Sequence, residues 1–330
     1  MRNKSIIDNI ATGRASVLLT LTIVISMIVV RGLFFAQTIV LKPDYGLFSE
    51  IIRPYAEHPL TRTIVEGIFI LVFAFVLNHA DTRYNIIRIR TSLPFFITSL
   101  LLTTNSFLLG NLVQSIGAIL MLLAISSLFE SYQEPRAEKN AFDIALLLSL
   151  ASLFWIKTIY FLPIFWFGLY TMKTLSFKSW MASIVGILAP YWFAFFYFAY
   201  QNNYDPLINY GLSIIDFSFI DFSQTKLFTW IHLGITIVTT FFALSHAMFS
   251  SLSDKIRTRS YLIFLIVLLF SSFVLTFVDF EHSGSALYLS YLISAFLIAH
   301  LFASVKGRFT SFLFHIMLYS YLLVYLWSLS

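Results

Sequence analysis

The residues best suited to chemistry lie in one polar segment of an otherwise apolar chain, at residues 41–62. A carboxylate held at an interface can serve as a general base, and arginine and histidine beside it can bind an anionic group. The segment could equally be an ordinary solvated loop, because surface loops are usually polar. The candidates are two acids and three residues that follow them: Asp44, Glu50, Arg53, His58 and Arg62.

The middle of this segment has the pattern of a short amphipathic helix. From Gly46 to Arg53, a helical projection groups the apolar side chains on one arc and the polar ones on the other, and Pro54 ends the run. The pattern predicts a helix that lies in the membrane interface with its apolar side down. Asp44 precedes this helix, which makes it the preferred base, with Glu50 second.

Three further ionisable residues fall inside or at the edge of apolar stretches, where charge is costly and usually has a partner or a role. Arg31, Glu66 and Lys157 all lie at the same predicted level as the polar segment. Arg31 and Glu66 are interpreted as a buried pair or site. Lys157 could line the same cavity, or its long stem could carry the ammonium to the surface.

A second polar segment, at about 201–226, contains the near-repeat Asp216-Phe217-Ser218 and Asp221-Phe222-Ser223. Carboxylates five residues apart do not share a helix face or a strand face, so their spacing does not make them a catalytic pair. A structural role is predicted here, with aromatic rings in the interface and Asp and Ser facing water.

Other chemical signatures are missing from the chain. There is no cysteine, no phosphate-binding glycine loop and no GxSxG elbow. The histidines lack metal-ligand spacing, so no metal is predicted and the cofactor is unknown. The basic excess of +5 is dispersed over many short segments, which gives no indication of nucleic-acid binding.

The elements that must position these residues are membrane-spanning helices. Hydrophobic residues make up 59% of the chain and charged residues 11%, whereas soluble domains carry roughly a quarter charged. Crossing the hydrocarbon core takes about 20 apolar residues, fewer where a turn lies near the surface. Eleven stretches qualify, at about 16–37, 63–80, 92–109, 112–130, 141–156, 158–172, 179–200, 227–249, 260–278, 285–304 and 309–328.

The loop charges orient this arrangement. With a cytoplasmic N-terminus, fifteen of the 21 basic residues fall in inner segments and five fall outside. This count requires that 91–130 and 141–172 each divide into two helices, the first at Gly110-Asn111. The sequence therefore predicts an all-α polytopic bundle of about 11 spans, with the C-terminus outside, as a single integral membrane domain over 1–330.

From Asn105 to Tyr200 the chain resembles a family of uncharacterised multi-pass inner-membrane proteins from Bacteroidota. The likeness rests on Asn111 opening an apolar run to Phe129-Glu130, on the charged connector Tyr132–Lys139, and on three short strings of residues. These strings are Phe142-Asp143, Leu150-Ala151-Ser152-Leu153-Phe154 and Gly186-Ile187-Leu188-Ala189-Pro190-Tyr191. The resemblance implies a bacterial inner membrane.

More distantly, the same succession of spans, together with a first span that ends in Arg31 and a loop with Asp44, is similar to the GT-C membrane glycosyltransferases. That likeness implies inverting transfer of a polyprenyl-phosphate-linked sugar at the outer face, with Asp44 or Glu50 as base. Arg31, Arg53 or Lys157 would then stabilise the lipid phosphate, and His58, Arg62 and Glu66 would complete the substrate site. GT-C enzymes usually carry an adjacent acidic pair in this loop, whereas Asp44 and Glu50 are separated.

Two other classes stay open at this point. A lipid-linked transporter or flippase would need a polar path to the inner side, and a non-catalytic subunit or scaffold would need an exposed intramembrane face. In every case a membrane lipid is the expected partner, and protein partners are unknown.

Overall fold

The computed structural model describes residues 16–34, 46–48, 58–108, 112–218, 226–250, 255–280, 284–305 and 307–329. Within these ranges the regular elements are all helical, and no strand occurs. The first four helices are α1 (Ser16–Phe34), α2 (Pro59–Tyr84), α3 (Leu93–Thr104) and α4 (Leu112–Glu130). They are followed by α5 (Glu138–Phe154), a 3₁₀ helix (Ile156–Phe161), α6 (Leu162–Thr171) and α7 (Phe177–Tyr200). The remaining helices are α8 (Asp205–Leu212), α9 (Leu227–Ser250), α10 (Ile256–Val278), α11 (Gly284–Ser304) and α12 (Arg308–Leu329).

Seven of the described helices are long and apolar enough to cross a membrane, namely α2, α4, α7, α9, α10, α11 and α12. The apolar parts of α1 and α3 are shorter, and α5 and α6 have 17 and 10 residues. Each of the eleven predicted apolar stretches coincides with a helix. The helices form because apolar side chains need burial or lipid while the backbone satisfies its own hydrogen bonds.

Two helix boundaries bear on the predicted divisions. The 141–172 stretch breaks at Trp155, whose backbone is extended, between α5 and the 3₁₀ helix. The other predicted turn, Gly110-Asn111, lies outside the described residues, between the end of α3 and the start of α4. The second polar segment, at about 201–226, contains the short helix α8, which was not predicted from the sequence.

Helix α11 is the centre of the bundle. All its residues from 284 to 303 are buried, and it packs against α3, α4, α9 and α10. Large apolar side chains of α1, α7 and α12 are exposed instead, as expected for helices that face lipid. The polar side chains of α11 must therefore find their hydrogen-bond partners within the protein.

Helices α5 and α7 pack at very short range. A Cβ atom at Gly186 would lie 2.5 Å from the carbonyl oxygen of Phe142, so only glycine permits this contact. Ser149 also donates a hydrogen bond to the carbonyl of Ile187, at 2.7 Å. α7 begins with a capping box between Ser176 and Ser179, which fixes where the helix starts.

The predicted interfacial helix from Gly46 to Arg53 falls largely outside the described residues. Of its members, Gly46, Leu47 and Phe48 are described, and Gly46 has φ +121°, a conformation that is not helical. A Cβ at Gly46 would meet the carbonyl oxygens of Leu153 and Phe154 at 2.5 Å. This part of the loop therefore lies directly on the end of α5.

Candidate functional site

Arg31 lies in the last turn of α1 and is partly buried. Its guanidinium donates to the hydroxyl of Ser328 at 2.6 Å and to the carbonyl of Thr103 at 3.4 Å. It also lies over the ring of Tyr325, 5.1 Å from the centroid. Three helices, α1, α3 and α12, therefore meet at this side chain.

Arg62 and Glu66 occupy the first two turns of α2, one helical turn apart. Both are buried, with 5% and 7% of their surface exposed, and Arg62 Nε lies 3.9 Å from Glu66 Oε1. Glu66 is also close enough to Arg31 to interact with it electrostatically. Arg31, Arg62 and Glu66 together form what we call the arginine cluster.

A buried polar network lies next to the arginine cluster. His232 on α9 contacts the hydroxyls of Thr104 and Tyr291 through its two ring nitrogens, at 2.9 Å each. One turn deeper, the hydroxyls of Thr236 and Tyr321 are 2.9 Å apart. Arg31 is close enough to act electrostatically on His232, so the cluster and the network adjoin.

Lys157 forms a second charged centre, on the 3₁₀ helix. Its ammonium lies 2.5 Å from Oδ2 of Asp279, at the end of α10, and the two residues are 3% and 0% exposed. Two charges this deeply buried are tolerated because each has the other and further hydrogen bonds. Lys157 also donates to the carbonyl of Asp216.

The Asp216–Ser218 segment completes the second centre. Ser218 donates to Oδ1 of Asp279 through its backbone N–H at 3.0 Å and its hydroxyl at 2.9 Å. The ammonium of Lys157 lies 4.5 Å from the centroid of the Phe217 ring. The structural role predicted for this segment agrees with these contacts. Asp216 is exposed, as expected. The orientation expected for the other two residues was wrong, because Ser218 binds a buried carboxylate and Phe217 covers the ammonium.

A cavity of about 230 Å³ opens beside Lys157. Its walls are Trp155, Ile156, Lys157, Asn209, Leu212, Ser213 and Asp216. The loop residue Gly46 packs on the end of α5, directly before the wall residue Trp155, and the ring of Phe48 lies 6.4 Å from the ring of Tyr197. This part of the first polar segment thus reaches the same region of the bundle as Lys157.

The predicted site residues therefore fall into three groups. Arg31, Arg62 and Glu66 lie together, whereas Lys157 is engaged by Asp279 and is held by other helices. His58 precedes α2, is exposed and makes no side-chain cap. Asp44, Glu50 and Arg53 lie outside the described residues. The surface-reaching conformation considered for Lys157 does not occur, since its ammonium is buried.

Two residues of these centres were missed from the sequence. Asp279 was overlooked because it directly follows an apolar stretch and looks like the start of a loop. Its position at the same predicted level as Lys157 was the available signal. His232 was overlooked because a single histidine in an apolar helix has no spacing pattern, and only the packing of α9 on α3 and α11 gives it partners.

Among the residues that the structure describes, no group of three or more His, Asp or Glu side chains could hold a metal ion. The fold and the site are those of an all-helical membrane protein with two buried charged centres. Comparison of the chain with protein-family models, with curated proteins and with solved structures finds no match.

Proposed function

We propose that the protein is a GT-C-like membrane glycosyltransferase, which takes a sugar from a polyprenyl-phosphate donor at the outer face of a bacterial inner membrane. The observation that carries the proposal is the environment of Arg31. Its hydrogen bonds to Ser328 and Thr103 go to neutral oxygens, and its guanidinium has no carboxylate within ion-pair distance in the described part of the chain. Its remaining N–H groups suit a phosphate, which guanidinium binds with two parallel bonds.

The proposal includes the eleven-span topology. In it, the shorter helices α1, α3, α5 and α6 also cross, the N-terminus is cytoplasmic and the C-terminus is outside. The distribution of loop charges supports this orientation. Arg31, Arg62, Glu66 and Lys157 then all lie at the outer level, where the phosphate of a membrane lipid lies.

The reaction is an inverting displacement. The hydroxyl oxygen of the acceptor attacks the anomeric carbon of the sugar, the bond from that carbon to the phosphate oxygen breaks, and the electron pair leaves with the lipid phosphate. Asp44, or Glu50 in second place, takes the proton of the acceptor hydroxyl. Arg31, with Arg53, stabilises the charge that develops on the departing phosphate.

Lys157 is less well suited to the phosphate than Arg31, because Asp279 already neutralises its charge. Its surroundings suit a polar substrate part instead. The adjoining cavity has Asn209, Ser213 and Asp216 in its wall. Gly46, which lies between Asp44 and Glu50 in the sequence, packs on the end of α5 directly before that wall. These contacts support binding of the sugar or the acceptor beside Lys157.

Binding of a polyprenyl phosphate to the purified protein tests the role of Arg31. Arg31→Ala should weaken binding about 10- to 100-fold, since a hydrogen bond to a charged group contributes roughly 1.5–3 kcal/mol. Arg136→Ala, an exposed arginine at the other end of the bundle, is the matched control and should bind as wild type. Equal affinities of the wild type and Arg31→Ala would contradict the proposal.

Catalysis is tested separately, in a deletion strain. The Asp44→Asn, Glu50→Gln double variant should fail to complement the strain, because loss of a general base lowers the rate by about 10²–10⁴-fold. Normal expression and thermal stability of this variant would show that the protein is folded. Full complementation by the Asp44→Asn, Glu50→Gln double variant would favour a binding or assembly role.

One observation favours a second candidate, the lipid-linked transporter or flippase. Buried polar side chains, among them His232 and Thr236, recur along the contact of α9 with α11. They are followed by the half-buried His246, whose ring lies 5.6 Å from that of His300. A transporter would move a labelled polyprenyl phosphate between the leaflets of a vesicle without any sugar transfer. A glycosyltransferase would transfer sugar and leave the leaflet distribution unchanged.

A further inference from the structure

A second groove lies at the opposite end of the bundle from Arg31, where α2 and α4 end and α5 begins. α4 packs against both α2 and α5 and forms the floor between them. The groove has a volume of about 490 Å³. We call it the Arg83 groove, and its walls include Phe75, His79, Arg83, Leu123, Glu130, Asp143, Leu146 and Leu147.

The walls of the Arg83 groove change in polarity with depth. Arg83 and Glu130 lie at the ends of α2 and α4, and Asp143 lies just over one turn inside α5. On each helix the apolar residues of the groove lie about one to two turns further into the bundle than the charged one. Arg83 and Phe75 are eight residues apart on α2, which corresponds to about 12 Å along the axis at 1.5 Å per residue. At the rim, Phe75 and Leu123 are 65% and 43% exposed, so the apolar part opens sideways. The polar end of the groove matches the head group of a lipid, and the apolar part that opens sideways matches an acyl chain.

The charges at the polar end are of both signs. Arg83 Nη2 lies 2.9 Å from Glu130 Oε1, and both side chains are about half exposed. Asp143 makes no ion pair or hydrogen bond with any residue of the described ranges. Because Glu130 already pairs with Arg83, a ligand of this groove has to carry both charges, an anion for the guanidinium and a cation for the two carboxylates.

We propose that the Arg83 groove binds one phospholipid with an ammonium head group, of the phosphatidylethanolamine type, from the leaflet at this end of the bundle. The phosphodiester lies against Arg83 and His79. The ammonium lies between Glu130 and Asp143, and one acyl chain follows Phe75, Leu123 and Leu146. A lipid with an anionic head group would place no positive charge beside the carboxylates, so the groove distinguishes the two lipid classes.

Native mass spectrometry of the purified full chain tests this proposal, with phosphatidylethanolamine and phosphatidylglycerol of identical acyl chains as probes. The wild type should retain one phosphatidylethanolamine and prefer it to phosphatidylglycerol at least fivefold. The Glu130→Gln, Asp143→Asn double variant should lose this preference. Glu134→Gln, an exposed acid in the adjacent loop, is the matched control and should keep it.

A variant that leaves every charge in place tests the apolar part. Leu123→Trp narrows the lateral opening of the groove and should weaken retention of phosphatidylethanolamine, with little effect on folding because Leu123 is exposed. Equal retention of the two lipids by the wild type would overturn the proposal, as would retention of neither. An undiminished preference in the double variant would overturn it as well.

Discussion

Removal of one partner from the Lys157–Asp279 pair should destabilise the protein strongly. The two groups are 2.5 Å apart, and they are 3% and 0% exposed, so each single variant leaves the other charge buried without its counter-ion. Breaking such a pair costs about 3–5 kcal/mol. With roughly 2–4 °C per kcal/mol for a large chain, Lys157→Met and Asp279→Leu should each lower Tm by roughly 6–20 °C.

The double variant separates the charge effect from simple loss of contacts. Lys157→Met combined with Asp279→Leu replaces the pair by apolar side chains, which is often nearly neutral for buried pairs. It still loses the two hydrogen bonds from Ser218, each of which contributes about 1 kcal/mol. We therefore expect the double variant to be more stable than either single variant.

Thermal unfolding in detergent, followed by the loss of monodisperse protein on size exclusion, measures these differences. Lys178→Met is the matched control, since Lys178 is exposed on α7 and should change Tm little. A Tm loss for Lys157→Met no larger than that for Lys178→Met would refute the reasoning. Additive losses in the double variant would refute the coupling of the two charges.

The remaining predictions concern packing, pH and topology. Gly186→Ala should cost about 1–3 kcal/mol in thermal unfolding, because its Cβ would overlap the Phe142 carbonyl, whereas Gly234→Ala, with nothing within 4 Å of its Cβ, should cost none. Burial raises the pKa of Tyr210, whose hydroxyl donates to the Ser152 carbonyl at 2.5 Å. The neutral phenol is thus favoured in the folded state, so stability should fall as the pH rises above about 10, the ordinary tyrosine pKa, and Tyr210→Phe should show a smaller fall in a pH series of unfolding curves. Reporter fusions should read cytoplasmic at Glu134, Lys173 and Asp254 and external at Asn202 and Ser330, and a cytoplasmic signal at Ser330 would contradict the eleven-span count.

Part of the candidate site could be read from the sequence, because charge in an apolar stretch is conspicuous. Arg31, Glu66 and Lys157 stand out for this reason, and all three are buried or partly buried in the structure. Their partners could not be read in the same way. Serine, threonine and tyrosine are common in membrane helices, so nothing marks Ser328 as the acceptor for Arg31 or Tyr291 as the neighbour of His232.

The sequence by itself determined where the helices lie. An apolar stretch must satisfy its own backbone hydrogen bonds, and a helix does so within the stretch, so the position of each helix is a local property. The all-helical class follows from that rule, whereas the division of 141–172, which the structure places at Trp155, was predicted from the loop charges. Only the tertiary structure decided which helices meet. Arg31 reaches Ser328 across 297 residues, and Lys157 reaches Asp279 across 122. Such pairs depend on how eleven apolar surfaces pack against one another, and residue type and spacing along the chain carry no record of that packing.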